Sequence, residues 1–176
     1  MKNFITGTGM TRVGILFAII ISVAVSSPAA RLLSVPSSSA PAIMTAMGNA
    51  RKGDTIEVAN GTYSEQIVCN PGVYLKSKQL FGAVIKGDGR GVVVRTAVNS
   101  GIEGFEIRDG TIGIYSQAPG VRIVRCRIVN NTESGIMCIG HVAHIQDNAI
   151  AFNGGSGIKG WDVRSNEESK NHNTID

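Results

Sequence analysis

The sequence predicts an all-β fold, a single-stranded right-handed parallel β-helix with coils of about 22 residues. Between residues 101 and 161, isoleucine recurs in three columns at steps of 21 or 22 residues. The columns are Ile102, Ile123 and Ile145; Ile107, Ile128 and Ile150; and Ile114, Ile136 and Ile158. Because neighbouring columns lie only 5 to 8 residues apart, each coil has room for three short strands but not for a helix.

The residue types favour a β-helix over a leucine-rich repeat, which has a similar period. A leucine-rich repeat needs several leucines per repeat, and this sequence has none after Leu80. Isoleucine and valine occupy the repeated apolar positions instead, and β-branched side chains suit strands that stack in register. Asn131 and Asn153 recur at equivalent turn positions, as expected for coils joined by tight turns.

Residues 1–30 are predicted to be an export signal. Lys2 and Arg12 flank an apolar run over residues 13–25, and Ser27-Pro28-Ala29 resembles a small-residue cleavage site. The run is shorter than the ~20 residues of a membrane span, and an uncleaved signal anchor is the alternative. The protein is therefore expected to be secreted, periplasmic or at the cell surface, and to contact a membrane only through this segment if it is uncleaved.

Residues 31–41 are predicted to be a flexible linker because they are rich in serine and proline. A short helix is predicted over residues 41–51, where Ile43, Ala46, Met47 and Ala50 fall on one face. The end of a β-helix exposes apolar side chains and unpaired strand edges, which need a cover. We therefore expect this helix to cap the N-terminal end of a β-helix domain over residues 42–176.

The repeat also extends backwards and forwards from its clearest part. A strand is expected at 54–58 and a turn at 60–62, and Ile85 and Val93 lie 22 and 21 residues before Ile107 and Ile114. After Trp161 a polar segment at 164–172 precedes what resembles a new strand at 173–175. The domain is thus predicted to be incomplete at its C-terminus, and an open end of this kind favours end-to-end self-association.

Charge and cysteine content exclude several classes of function. Without Lys2 and Arg12 the chain has 15 basic and 13 acidic residues and no basic run, which argues against nucleic-acid binding. Three cysteines without a C-x-x-C pair are interpreted as buried thiols, with a single disulfide as the alternative. His141 and His144 would point to opposite faces of a strand, so no metal site is predicted.

The segment 53–67, GDTIEVANGTYSEQI, resembles the first coil of the pectate-lyase-like parallel β-helix superfamily, and the resemblance covers about residues 42–161. Members of that superfamily include pectate lyases, polygalacturonases, alginate epimerases and lyases. Other members are exported proteins without enzymatic activity, and one group assists the maturation of copper enzymes in the bacterial periplasm. The resemblance implies the fold and leaves the function open, because one scaffold hosts many chemistries.

The catalytic acids of polygalacturonase-like members are not found at the matching positions. Ile112, Ser134 and Ser156 stand where an aspartate would precede the glycine, and only Glu133 lies nearby. Hydrolysis of a glycosidic bond needs two carboxyl groups at a set separation. Catalytic residues therefore stay unknown, and hydrolysis by this mechanism is not expected.

A row of outward side chains next to the third isoleucine column contains Tyr115, Met137 and Lys159. Tyr115, Lys159 and the nearby Glu133 are the predicted substrate-binding residues, because aromatic and charged groups recognise sugars and uronates; a plain solvated face is the structural alternative. Elsewhere, Glu106 aligns with Arg127, and Arg125 with Asp147. These are interpreted as surface ion pairs.

The sequence thus predicts an exported β-helix protein that engages polysaccharide or acts as a rigid binding scaffold. We expect no cleavage of pectate, alginate or polygalacturonate. The alternative is a polyuronate lyase, and only in that case would a cofactor, Ca²⁺, be expected. A second alternative is a periplasmic accessory protein for metalloenzyme maturation.

Overall fold

A computed structural model of the protein describes residues 29–36, 42–141, 143–161 and 174–175. Its elements, in chain order, are β1 (Leu32–Val35), α1 (Ala42–Asn49), β2 (Thr55–Val58), β3 (Gly61–Tyr63), β4 (Ile67–Val68), β5 (Tyr74–Ser77), β6 (Ala83–Lys86), β7 (Val92–Arg95), β8 (Gly101–Glu103), β9 (Glu106–Arg108), β10 (Ile112–Ser116), β11 (Arg122–Val124), β12 (Arg127–Val129), β13 (Ser134–Ile139), β14 (His144–Gln146), β15 (Ala149–Ala151), β16 (Ile158–Trp161) and β17 (Thr174–Ile175).

The strands form three parallel sheets, and successive coils contribute one strand to each. Sheet A has the order β1-β2-β5-β8-β11-β14, sheet B the order β3-β6-β9-β12-β15-β17, and sheet C the order β4-β7-β10-β13-β16. Each of the strands given above therefore pairs with a strand about one coil away in sequence. The predicted fold class is confirmed: the described residues form an all-β parallel solenoid with coils of about 22 residues and one short helix.

The three isoleucine columns form the core of the solenoid. Ile102, Ile123 and Ile145 pair in sheet A. The other two columns pair in the same way in sheets B and C. Because adjacent strands lie about 4.8 Å apart, isoleucines of one column pack on each other, and the first ones in sheets A and C pack on Leu75 and Val94 of the preceding coil. All columns are buried except at Ile158, which is half-buried in the last strand of sheet C.

Helix α1 covers the N-terminal end of this core, as predicted. Ile43 and Met47 are buried on its inner face. The backbone N–H groups of Ile43 and Met44 donate hydrogen bonds to the Glu65 carboxylate at 3.2 and 2.9 Å. A carboxylate at this position satisfies N–H groups that a helix leaves without partners. The Glu65 of the Gly-x-Tyr-x-Glu segment therefore has a structural role, which is to hold the cap.

The prediction of a flexible linker is wrong for residues 32–35, which form β1 and pair with β2. Val35 is buried and Leu33 half-buried, so the apolar residues of this segment alternate towards the core. Asp54 fixes the start of the strand: it accepts hydrogen bonds from the Arg31 guanidinium, the closest at 2.5 Å, and from the Arg51 backbone N–H at 2.8 Å. The hydrogen bond from the Arg31 side chain, together with those from the backbone N–H groups of Arg51 and Arg31, holds the pKa of Asp54 well below its usual range.

Two details of the predicted register also differ from the structure. Residues 61 and 62, predicted as a turn, begin β3. Ile114 pairs with Val94 and not with Val93, although both valines are buried. The glycine-rich turn before β7 makes the difference, because the N–H groups of Thr111 and Ile112 both donate to the carbonyl oxygen of Gly91. Pairing after this turn is shifted by one residue, which a fixed period cannot predict.

Left-handed backbone conformations mark the corners between the sheets. The corner from sheet B to sheet C has Asp109, Asn130 and Phe152 in successive coils, with φ of 61°, 56° and 55°. The corner from sheet A to sheet B has Gly104, Arg125 and Asp147, with φ of 78°, 52° and 55°. Glycine, asparagine and aspartate adopt this conformation readily and other residues rarely do.

A ladder of asparagines, formed by the buried Asn131 and the half-buried Asn153, stabilises the corner between sheets B and C. The Asn131 side chain accepts a hydrogen bond from the Gly110 N–H at 3.0 Å and donates one to Asn153 Oδ1 at 2.9 Å. It donates a further bond to the Val129 carbonyl at 3.2 Å. The equivalence of Asn131 and Asn153 predicted from the repeat is thus confirmed, and their amides connect successive coils.

Some predictions fall on residues outside the described ranges. These are the export signal up to residue 28, the rest of the linker over 37–41, and the polar segment 164–172. The strand predicted at 173–175 is found as β17, which pairs with β15. Within the described ranges, no helix has the length and apolar character needed to cross a membrane.

Candidate functional site

The outward face of sheet C carries one continuous row of side chains. Strand pairing aligns, in successive coils, Val68, Arg95, Tyr115, Met137 and Lys159. Tyr115 and Met137 are half-buried, and the other three are exposed. The structure therefore places the predicted residues Tyr115 and Lys159 in one row, two coils apart, with Met137 between them.

Arg95 completes this row and was not predicted from the sequence. Its guanidinium carbon lies 4.6 Å from the centre of the Tyr115 ring, within the range of a cation–π contact. Stacking on the ring restricts the planar guanidinium, whose N–H donors match a carboxylate in geometry. The predicted register opposed Tyr115 to Val94, and the one-residue shift at the turn before β7 puts Arg95 there instead.

Glu133 lies beside this row at the corner before β13. Its side chain is exposed, its backbone N–H donates to the Thr111 carbonyl, and its carbonyl accepts from the Gly155 N–H. The row itself carries two cations, Arg95 and Lys159. They are three coil steps apart, or about 14 Å at the usual strand spacing. Of the three predicted binding residues, two share the row, and Glu133 stands at its edge.

A second polar cluster occupies the outward face of sheet A. The Tyr74 hydroxyl donates to a Glu103 carboxylate oxygen at 2.6 Å, and Arg125 contacts the other oxygen. The Lys76 ammonium lies 4.0 Å from the same carboxylate. The Tyr74 ring lies over Gly101, where an added Cβ would come within 2.2 Å of it. This arrangement was missed because it depends on the absence of a side chain at Gly101.

The groups of this cluster set one another's protonation. Burial, with the bond to Glu103, raises the pKa of Tyr74 above its usual value. Partial burial would raise the pKa of Glu103, but hydrogen bonds from Tyr74 and Arg125 and the charges of Arg125 and Lys76 outweigh it, so this pKa is lowered. Tyr74 is thus a neutral donor and Glu103 an anion whose oxygens are occupied by neighbours. The cluster serves chiefly to tie coils together.

The predicted ion pairs are only partly correct. Glu106 and Arg127 approach to 3.6 Å, as predicted. Arg125, predicted to pair with Asp147, contacts Glu103. Both Arg125 and Asp147 are at left-handed corner positions. The strand register alone therefore does not determine the direction of their side chains.

A small polar groove of about 210 Å³ lies near the N-terminal cap, lined by Ser64, Glu65, Gln66, Lys86, Gly87 and Asp88. The oxygens of Glu65 are used by the N–H groups of α1. The Gln66 amide donates to the carbonyl of Arg90. These bonds join the cap to the first coils, so the groove has fewer free polar groups than its lining suggests.

The histidines and cysteines of the described ranges show no cluster that could hold a metal. No group of three or more histidine, cysteine, aspartate or glutamate side chains there is placed for ligation. His144 Nε2 lies 2.8 Å from the side-chain oxygen of Gln146. Cys69, Cys126 and Cys138 are free and buried, as the interpretation as buried thiols requires. Burial raises the pKa of Cys69 and of Cys126 to about 12.

Comparison with known proteins supports the fold. No family profile matches the chain, and no curated protein sequence matches it. Among solved structures it is similar to the crystal structure of an alginate lyase from Paenibacillus sp. str. FPU-7, with a TM-score of 0.63 and 20% sequence identity. The similarity covers 82% of this chain and 57% of the lyase chain, so this chain spans little more than half of that protein. At this identity the similarity concerns the fold.

Proposed function

We propose that the protein binds an acidic polysaccharide along the outward face of sheet C. The observation that carries the proposal is the row in which Arg95 stacks on Tyr115 and Lys159 follows two coils later. The row has two exposed cations, and within the described residues it includes no acidic side chain. A polymer with a carboxylate on each sugar fits such a row better than a neutral one.

The geometry of the row suits an extended chain. Side chains repeat along it about every 4.8 Å, which is comparable to the length of one pyranose ring. Arg95 can accept a uronate carboxylate in its two-pronged geometry, and Lys159 can meet another about 14 Å away. Tyr115 acts by positioning Arg95, since its ring face is occupied by the guanidinium. Met137 supplies apolar contact between the two charged sites.

Alginate is the first ligand to test, because the structurally similar protein is an alginate lyase. Binding of alginate, polygalacturonate and a neutral glucan to the chain without residues 1–30 would be measured by isothermal titration calorimetry. We expect binding to the two polyuronates, weakening with salt as exposed charges are screened. Equal affinity for the neutral glucan would contradict an acidic ligand.

Substitutions in the row then locate the site. Arg95→Ala and Lys159→Ala should each weaken binding about two- to fivefold, the equivalent of about 0.5–1 kcal/mol for an exposed ionic contact. Lys78→Ala is the matched control, because Lys78 is also exposed but follows β5 of sheet A. If Lys78→Ala weakened binding as much as Lys159→Ala, attraction would be non-specific and the row would not be the site.

The same samples distinguish binding from cleavage. A lyase forms unsaturated uronates, whose ultraviolet absorbance rises as the polymer is cut. We expect no rise above a control without protein, with or without Ca²⁺. A rise above that control would replace the binding proposal with the lyase alternative.

A further inference from the structure

Phe152 is an exposed aromatic residue in a backbone conformation that aromatic residues rarely adopt. It has a relative exposure of 76% and a φ of 55°. Its counterparts in the two preceding coils are Asp109 and Asn130, both of which suit the left-handed region. A phenylalanine at this corner gains little from burial and costs backbone strain. A side chain kept against such a cost is a candidate for function.

Within the described ranges two other bulky residues share this conformation, but the structure accounts for each. Phe81 is half-buried, and its N–H donates to the Gly104 carbonyl at 2.6 Å. Arg125 contacts Glu103. Phe152 differs from both because its ring is directed largely to solvent.

The turn after Phe152 contains Gly154 and Gly155, and neither position has room for a side chain. Gly154 and Gly155 lie flat against the preceding coil: a Cβ added to either would come within 2.3 Å of the Thr132 carbonyl oxygen or 2.9 Å of the Glu133 carbonyl oxygen. Both glycines are exposed. The result is a shelf of bare backbone next to Phe152. Glu133 stands one coil before it, and Lys159 follows later in the same coil.

We propose that Phe152, the Gly154–Gly155 shelf and Glu133 form a subsite for one uronate ring beside the sheet C row. This rests on the proposed function and extends it. Phe152 contacts the apolar C–H face of the sugar, and the Glu133 carboxylate accepts hydrogen bonds from its hydroxyls. Lys159 meets the uronate carboxylate.

The test uses the chain without residues 1–30 and three variants. Phe152→Asn should raise the melting temperature by about 2–4 °C, because asparagine tolerates the left-handed conformation. It should weaken alginate binding about five- to tenfold. Phe152→Trp should keep the affinity. Leu80→Asn removes an exposed apolar side chain, 59% exposed, from another turn and should leave binding unchanged.

A fluorescence experiment tests contact directly. In Phe152→Trp combined with Trp161→Phe, the new tryptophan is the only one in the chain. Its emission should shift or be quenched on titration with alginate. Unchanged emission while the calorimeter reports binding would overturn the subsite and leave the proposed function intact.

The remaining outcomes are also decisive. If Phe152→Asn stabilised the protein without weakening binding, the subsite would be wrong. If the wild-type chain bound only a neutral glycan, the uronate subsite and the preference for acidic polymers would both fall. If it bound no glycan from a panel of acidic and neutral polysaccharides, both proposals would fall together.

Discussion

Replacing Asn131 tests whether the buried amide ladder holds the coils together. Asn131 is only 1% exposed, and its side chain makes three hydrogen bonds, to the Gly110 N–H, the Val129 carbonyl and the Asn153 amide oxygen. A buried hydrogen bond contributes about 0.5–1.5 kcal/mol, and a buried donor left without a partner costs more. Asn131→Ala should therefore lower the free energy of unfolding by about 3 kcal/mol. That is a change of roughly 100-fold in the unfolding equilibrium.

The measurement is urea unfolding followed by far-ultraviolet circular dichroism, with the slope against urea checked for each variant. The neighbouring Asn130 provides the control, because it is exposed and has a φ of 56°. Asn130→Gly fits that conformation and should change stability by less than about 0.5 kcal/mol. The two variants differ by one position in sequence and by burial in the structure.

Asn131→Asp separates the donor function from the acceptor function. A carboxylate still accepts from the Gly110 N–H, but it cannot donate to the Val129 carbonyl or to Asn153. Burial should raise its pKa, so the variant should lose stability relative to wild type as pH rises from 4 to 7. If Asn131→Ala cost less than about 1 kcal/mol, or no more than Asn130→Gly, the ladder would not stabilise the fold as argued.

Three other perturbations have clear expected outcomes. Folding lowers the pKa of Asp54, so its carboxylate stabilises the protein above about pH 4, the pKa of an unfolded aspartate. This contribution is lost as pH falls towards the folded pKa. The melting temperature of Asp54→Asn should therefore depend less on pH below about 4 than that of wild type. Gly101→Ala should displace the Tyr74 ring and cost about 1–2 kcal/mol in urea unfolding, and less in a Tyr74→Ala background; equal costs in both backgrounds would show that the ring is not what excludes a side chain. Cys69 and Cys126 should resist alkylation by iodoacetamide at pH 8 in the folded protein and react after unfolding in urea; rapid modification of the native protein would contradict their burial.

The solenoid could be predicted from sequence because its core repeats. Nine isoleucines at nearly constant spacing determine three columns, and the structure pairs all of them as expected. β1 lies outside the isoleucine repeat, and the contact between Arg31 and Asp54, which are 23 residues apart, joins its start to that of β2. The shift at Val94 arises in a glycine-rich turn, whose length is not constrained by the core. Contacts between non-repeating parts leave no periodic signal.

The candidate site was predictable to the extent that it follows the strand register. Tyr115 and Lys159 could be placed in one row from their distance to the third isoleucine column. Arg95 required the register to be correct to one residue. Phe152 could be identified only from its backbone angle, which the sequence does not reveal. The sequence shows a phenylalanine before an asparagine, as could occur in any turn. The predicted residues thus define the direction of the candidate site, and the structure adds Arg95 and Phe152 to it.

Each coil adds one side chain to the row on sheet C, so the side chains of the row are evenly spaced, about 4.8 Å apart. Residues 101–121 form one coil, which contributes Tyr115 to the row. Duplicating these residues in frame would lengthen the row by one side chain, because coils contact only their neighbours. The shortest oligosaccharide that reaches both Arg95 and Lys159 would then grow by about one sugar. If the row binds such a polymer, the length of ligand that spans Arg95 and Lys159 would be set by the number of coils between them.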